Sequence, residues 1–140
     1  MPSIEVAAGL IFREGSLLIA QRRSNAHLGG LWEFPGGKRE SGESFETCLR
    51  RELREELDTV VEVGELIDSV EHTYPEKSVS LRFYRCQLTG PEPRAVDCQA
   101  IAWVTPRELA DYEFPAADNH LLERLRSDPG LWTTASDSTK

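Results

Sequence analysis

A mixed β-sheet with one helix on each face, an α+β fold arranged as an α/β/α sandwich, follows from three features of the 140-residue sequence. Apolar, β-branched runs recur on both sides of a central helical pattern. That pattern, from Ser44 to Leu57, carries a single apolar stripe. A second, shorter helical pattern follows the last strand-like run. A helix placed between strands requires a mixed sheet, and one helix per face is the economical way to cover it. The length suits one domain, and 39% hydrophobic with 29% charged residues is a globular composition.

Ile4 to Phe12 reads as a strand interrupted at Gly9, Arg13-Glu14-Gly15 as a hairpin turn, and Leu17 to Gln21 as the returning strand. Ser24 to Gly30 is a loop. Leu31 to Phe34 is a short strand stopped by Pro35-Gly36-Gly37, and Lys38 to Gly42 is polar and turn-like. In the central helix Ser44 is the N-cap, and Glu46 sits in the first turn where the helix dipole favours an anion. Phe45, Cys48, Leu49, Leu53 and Leu57 form its stripe. Val60–Val70, Val79–Leu88 and Gln99–Val104 are strand-like. Thr105-Pro106-Arg107-Glu108 is a capping box with proline at the first helical position. Ala116 to Ser127 is the second helix, with Leu121, Leu122 and Leu125 inward. The domain is expected over residues 1–128, and residues 129–140 as a flexible tail. Whether Leu131 and Trp132 dock on the domain or on a partner stays open at this level.

The charge balance of 16 basic against 24 acidic residues, a net −8, argues against binding nucleic-acid polymers or membrane surfaces, which need basic patches. No apolar run reaches membrane-spanning length, and Met1 to Glu5 lacks the basic start of a secretory leader. Cys48, Cys86 and Cys98 have neither disulfide-framework nor zinc-site spacing. They read as reduced structural thiols of a cytoplasmic protein.

The informative run is Arg51-Glu52-Leu53-Arg54-Glu55-Glu56. At about 100° per residue the three glutamates share one arc of the helix, and like charges at these spacings oppose it by about 0.2–0.5 kcal/mol per pair. The arc abuts the apolar stripe, so the acids point toward the edge of the core. The bland reading is a solvated face neutralised by Arg50, Arg51 and Arg54. The functional reading is a divalent-metal site, because clustered hard oxygen ligands without His or Cys suit magnesium or manganese. The loop before the helix favours the second reading. Gly36 and Gly37 allow close backbone approach to an ion or phosphate, Lys38 and Arg39 offset phosphate charge, and Glu43 adds an acid at fixed spacing.

These residues, Gly37-x5-Glu43-x7-Arg51-Glu52-Leu53-x-Glu55-Glu56, resemble the signature box of the Nudix hydrolases. The box ordinarily closes with glycine and an apolar residue two and three places after the last glutamate; Asp58 and Thr59 stand there instead. Gln21-Arg22-Arg23, His27, Leu31-Trp32-Glu33-Phe34-Pro35-Gly36-Gly37-Lys38, Trp103 and Phe114-Pro115-Ala116-Ala117-Asp118 are similar to the MutT branch. The likeness spans roughly Ile4 to Arg126. It implies a Nudix-type α/β/α sandwich that hydrolyses nucleoside triphosphates to monophosphate and pyrophosphate. The leading substrate is an oxidised dNTP such as 8-oxo-dGTP, in nucleotide-pool sanitation linked to DNA repair. CTP, dCTP or 5-hydroxy-dCTP is the alternative, followed by other diphosphate compounds and a catalytically silent binding module.

The resemblance also implies roles. Glu52, Glu55 and Glu56, with the Gly36 carbonyl and Asp97, hold Mg2+, for which Mn2+ can substitute; Glu92 is the alternative to Asp97. Glu52 is also the candidate base for the attacking water. Arg51 and Glu43 form a supporting salt bridge. Arg23, Phe34, Gly37, Lys38 and Asp118 are assigned to substrate, with Asn119 as the alternative if the register slips by one and Tyr74 as a further neighbour of the base. The expected partner is a small nucleoside triphosphate; monomer and dimer are both open.

Overall fold

Strand β1 (Ser3–Arg13) is apolar without alternation because both of its faces are covered. The computed structural model describes residues 3–133. After β1 come β2 (Ser16–Gln21), β3 (Trp32–Glu33), β4 (Gly36–Lys38), helix α1 (Phe45–Leu57), β5 (Val61–Tyr74), β6 (Lys77–Leu88), β7 (Ala100–Val104) and helix α2 (Asn119–Ser127). Single 3₁₀ turns lie at Glu108–Asp111, Ala116–Asp118 and Pro129–Trp132. Among the described residues no helix is long and apolar enough to cross a membrane.

The sheet forks at β1. Along Ser3–Ile11 this strand runs parallel to Ser78–Cys86 of β6, and β5 lies antiparallel on the far side of β6. The other edge of β1 pairs first with β4, through Val6–Ala8, and then with the start of β2, through Phe12 and Arg13. Strand β2 is flanked in turn by β7 and β3, both antiparallel to it.

Alternate residues divide the core into two layers. Ala7, Ile11, Leu18, Ala20, Tyr84 and Cys86 face α1, which seats Cys48, Leu49, Leu53 and Leu57 against them. Ala8, Leu10, Phe12, Leu17, Ile19 and Phe83 face α2 with its Leu121 and Leu125. Burial of each large side chain contributes about 1.5–3 kcal/mol. The expected sandwich is therefore observed, with α1 fixed rotationally by its stripe.

Four details differ from the sequence expectation. Strand β1 continues through Gly9, whose position lies under α1: a Cβ there would meet Cys86 Sγ at 3.3 Å and Leu53 Cδ1 at 3.5 Å. Gly36-Gly37-Lys38 is a strand rather than a turn. It lies so close to β1 that a Cβ on Gly36 would fall 2.0 Å from the Ala7 carbonyl oxygen. The second helical stretch opens as a 3₁₀ turn and becomes α-helical only from Asn119. Finally, the folded domain continues past the expected boundary at residue 128. Leu131 and Trp132 are buried in the α2 layer, the Trp132 indole N–H donates to the Leu125 carbonyl at 2.8 Å, and its ring meets Phe12 edge-on at 5.6 Å. Asp128-Pro129-Gly130 is thus a turn within the domain. The rest of the expected tail, residues 134–140, lies outside the described residues.

Candidate active site

Helix α1 begins where Ser44 accepts the Thr47 N–H at 3.0 Å, which sets the phase of every acid behind it. Because the stripe faces the sheet, Glu52 flanks it with its side chain only 17% exposed, whereas Glu55 turns outward at 57%. Gly37 of β4 lies against Glu52 so closely that a Cβ at 37 would sit 2.2 Å from Glu52 Oε1. The neighbouring Gly36 N–H points at Glu56 Oε1, 3.4 Å away.

Arg51 joins the preceding loop to the helix. Its Nε and Nη2 donate to the two Glu43 oxygens at 2.7 and 2.9 Å, and Nη2 also reaches the Lys38 carbonyl at 3.1 Å. Its Nη1 donates to Glu52 Oε2 at 2.9 Å and to Glu55 Oε1 at 3.3 Å. This two-pronged ion pair holds the Glu43 carboxyl down at about 2, with further help from the Glu40 backbone N–H.

A cavity of about 420 Å³ opens beside these acids. Gly36, Gly37, Lys38, Glu52 and Glu56 line it from β4 and α1. Val6, Ala8, Phe34, Leu81 and Phe83 provide an apolar wall, and Pro115, Ala117 and Asp118 come from the turn before α2. His27, Leu28, Tyr74 and Lys77 contribute from the loop after β2 and from the β5–β6 hairpin. Phe34 stacks on Phe114 at 5.0 Å and meets Phe83 edge-on at 5.9 Å, so its ring is a fixed part of that wall.

The electrostatics of the cavity run opposite to those around Arg51. Burial pushes the Glu56 carboxyl up to about 9, with the charges of Glu33 and Glu52 adding to it, while the Gly36 N–H works the other way. Glu52 is raised by burial against the pull of Arg51. Glu33 is raised by burial although Arg22 Nη1 lies 2.7 Å from its Oε1. Asp118 is pushed up to about 7, by burial first and by Glu33 second. Glu33 therefore stands electrostatically between the acids of α1 and Asp118.

Several expected site residues converge here: Gly36, Gly37, Lys38, Glu52 and Glu56 with Phe34 and Asp118. Asp118 is 7% exposed, whereas Asn119 points outward at the start of α2. Glu55 is on the rim, paired with Arg51. Arg23 does not line the cavity; its Nε lies 3.4 Å from Asp97 Oδ1 and its Nη2 donates to the Val96 carbonyl at 3.2 Å. Alternation along the extended chain gives the cavity to Arg22 instead. Asp97 is 71% exposed but tethered to α1, its N–H donating to the Glu56 carbonyl at 3.1 Å. Glu92 is held elsewhere by Arg13 at 2.7 Å. The sequence reading passed over Arg22 and Glu33, and an acid amid Leu31-Trp32-Glu33-Phe34 was the available signal.

Among the described residues, no three acidic, His or Cys side chains gather around one point as a ready metal cage. The donor set still suits a hard divalent ion. It consists of oxygens only, and burial with the charges of Glu33 and Glu52 disfavours the ionised form of Glu56, which has no basic side chain paired to it among the described residues. Magnesium in particular takes one or two carboxylates and fills its shell with water and substrate phosphate, so a closed cage is not required.

A family model described as NUDIX domain matches residues 7–124. The CTP pyrophosphohydrolase of Escherichia coli K12 is 39% identical over 123 residues, covering 88% of this chain and 91% of that protein. The 8-oxo-dGTP diphosphatase of Haemophilus influenzae is 37% identical over 123 residues, covering 87% and 90%. The solution structure of the E. coli ORF135 protein superposes with a TM-score of 0.75 at 38% identity, covering 88% of each chain.

Proposed function

This chain belongs to the Nudix hydrolase family, and on that premise we propose that it is a Mg2+-dependent nucleoside triphosphate pyrophosphohydrolase whose leading substrate is 8-oxo-dGTP. The observation that carries the reading is Glu56, an acid lifted to about 9 beside Glu52 and Glu33 in a cavity with an apolar wall. Such an arrangement is costly unless a cation joins it. Enzymes of the family depend on divalent metal. In this reading Glu52, Glu55, Glu56, Asp97 and the Gly36 carbonyl hold Mg2+, with Mn2+ as a substitute. A bound divalent ion supplies neutralisation of phosphate oxygens and a lowered pKa for coordinated water.

The chain's own residues do the rest. A Glu52 carboxylate oxygen accepts the proton of the attacking water. Lys38 at the cavity edge offsets phosphate charge, and Arg51 keeps the Glu52 carboxylate oriented through Nη1. The apolar wall with Phe34 receives the base, and Tyr74 flanks it. Glu33 and Asp118 present acceptor oxygens, which match the N1–H and exocyclic amine of a guanine. Attack at the β-phosphorus, as in the MutT branch, releases monophosphate and pyrophosphate. The partner is then a small nucleotide of the cytoplasmic pool.

A second reading, CTP or dCTP as substrate, is favoured by the E. coli CTP pyrophosphohydrolase relative and by Asp118, since a carboxylate also accepts from the cytosine amine. Hydrolysis with Mg2+ of 8-oxo-dGTP, dGTP, dCTP, CTP and 5-hydroxy-dCTP, with products resolved, tests both. The expected result is monophosphate plus pyrophosphate with the highest kcat/KM on 8-oxo-dGTP. A cytidine preference transfers the conclusion to the second reading, and no turnover on any of the five overturns both.

A further inference from the structure

Asp58 is one of the two departures from the family signature, and the structure gives it neighbours of its own. It caps α1 in the left-handed conformation, φ 52° and ψ 44°, which glycine adopts freely and a residue with a Cβ adopts under strain. Its Oδ2 accepts from Arg94 Nη2 at 2.9 Å and from Arg94 Nε at 3.3 Å. Arg94 is also the residue at which the loop between β6 and β7 meets the open end of the helix. The Arg94 N–H donates to the Leu57 carbonyl at 3.0 Å, and the N–H groups of Val96 and Asp97 donate to the Glu56 carbonyl at 3.0 and 3.1 Å. Those carbonyls have no partner inside the helix. The loop therefore serves as the C-terminal cap of α1, and the last of these three donors ties the Asp97 backbone to the end of the helix, while its exposed carboxylate faces Arg23.

We propose that Asp58 and Arg94 are a positioning pair that fixes the register of the loop against the end of α1, and with it the point from which Asp97 reaches toward the acids of the helix, in place of the glycine that ordinarily closes the signature. A glycine relieves strain at this position but offers no acceptor to a guanidinium. Asp58 accepts the strained conformation and gains a two-pronged contact three residues from Asp97. The inference rests on Asp97 being one of the metal-holding acids.

The test follows Mn2+ affinity by electron paramagnetic resonance, thermal melting, and kcat against KM for the nucleotide. The proteins are wild type, Asp58→Gly, Arg94→Ala, Asp97→Asn and Asp58→Gly in the Asp97→Asn background. The pair is exposed, so its direct contribution to stability is small. Asp58→Gly is expected to melt at or above wild type and yet to bind Mn2+ about tenfold more weakly, with lower kcat and unchanged KM. Arg94→Ala should match it in Mn2+ affinity and kcat without the gain in melting, because Asp58 keeps its strained conformation, and Asp58→Gly should lower Mn2+ affinity no further once Asp97 is asparagine. A purely structural role would move the melt and leave Mn2+ affinity alone. Wild-type Mn2+ affinity in Asp58→Gly alongside weak binding by Asp97→Asn overturns the pair alone. Wild-type affinity in Asp97→Asn overturns the reading of Asp97 and the pair with it.

Discussion

Glu43 and Glu56 belong to one acidic signature and have opposite fates. Glu43 receives two N–H groups of Arg51, and its carboxyl is held at about 2. Glu56 receives one long backbone N–H, faces Glu33 and Glu52, and is raised to about 9. Arg51 also reaches Glu52 and Glu55 but not Glu56. The difference separates two uses of a carboxylate. The satisfied one holds the loop to the helix, and in the proposed function the unsatisfied one is the acid that a cation joins.

The sharpest way to break this comparison is at Glu52, which stands between the two. Glu52→Gln keeps the shape and the Arg51 contact through its amide oxygen and removes the base. Turnover should fall by about 10²–10⁴-fold while circular dichroism and melting stay close to wild type. Wild-type turnover would remove Glu52 from the chemistry.

A second effect is a pair of opposite pH slopes in the metal-free protein. Glu43 has a folded pKa below its ordinary value of 4.5, so its contribution to stability is present above that value and is lost as pH falls toward about 2. Glu56 has a folded pKa raised from 4.5. Its neutral form is tolerated at low pH, and stability drains as pH rises from 4.5 to about 9, by at most about 1.4 kcal/mol per pH unit. Melting curves across pH should show Glu43→Gln flattening the acid limb and Glu56→Gln flattening the alkaline one. Equal curves for Glu56→Gln and wild type above pH 5 contradict the assignment.

The smallest effect concerns specificity. Burial and the charge of Glu33 push the Asp118 carboxyl up to about 7; its protonated form donates as well as accepts, and its ionised form only accepts. The ratio of kcat/KM for guanine against cytosine nucleotides should drift across pH 6–8 in wild type. In Asp118→Asn, whose amide does not titrate, the drift should vanish. A drift retained in the variant removes Asp118 from base reading.

Much of this was legible in the sequence, and the reasons are local. Ser44 and the stripe from Phe45 to Leu57 set the phase of α1, which places every glutamate of the run. A helical pattern placed between strand-like runs called for a mixed sheet covered on both faces. What was not legible depended on partners distant in the chain. Arg22 and Arg23 are adjacent, and only the pairing of β2 with β3 and β7 decides which enters the cavity. Glu33 gains its importance from Glu56 and Asp118, which are remote in sequence. Trp132 lies beyond a Pro-Gly turn that resembles a domain end, and only its packing on the buried Phe12 ring and its bond to the Leu125 carbonyl reveal its seat.

The central proposal is that Glu56, whose carboxyl burial and the neighbouring acids raise, takes a divalent cation and gives up a proton in doing so. Titrating metal-free protein with saturating Mn2+ in weakly buffered solution at pH 7, and counting protons released, tests it directly, because binding to an oxygen ligand requires the deprotonated form. The account predicts release of close to one proton per protein in wild type and none in Glu56→Gln. Mn2+ binding without proton release in wild type, or the same release in Glu56→Gln, would contradict it.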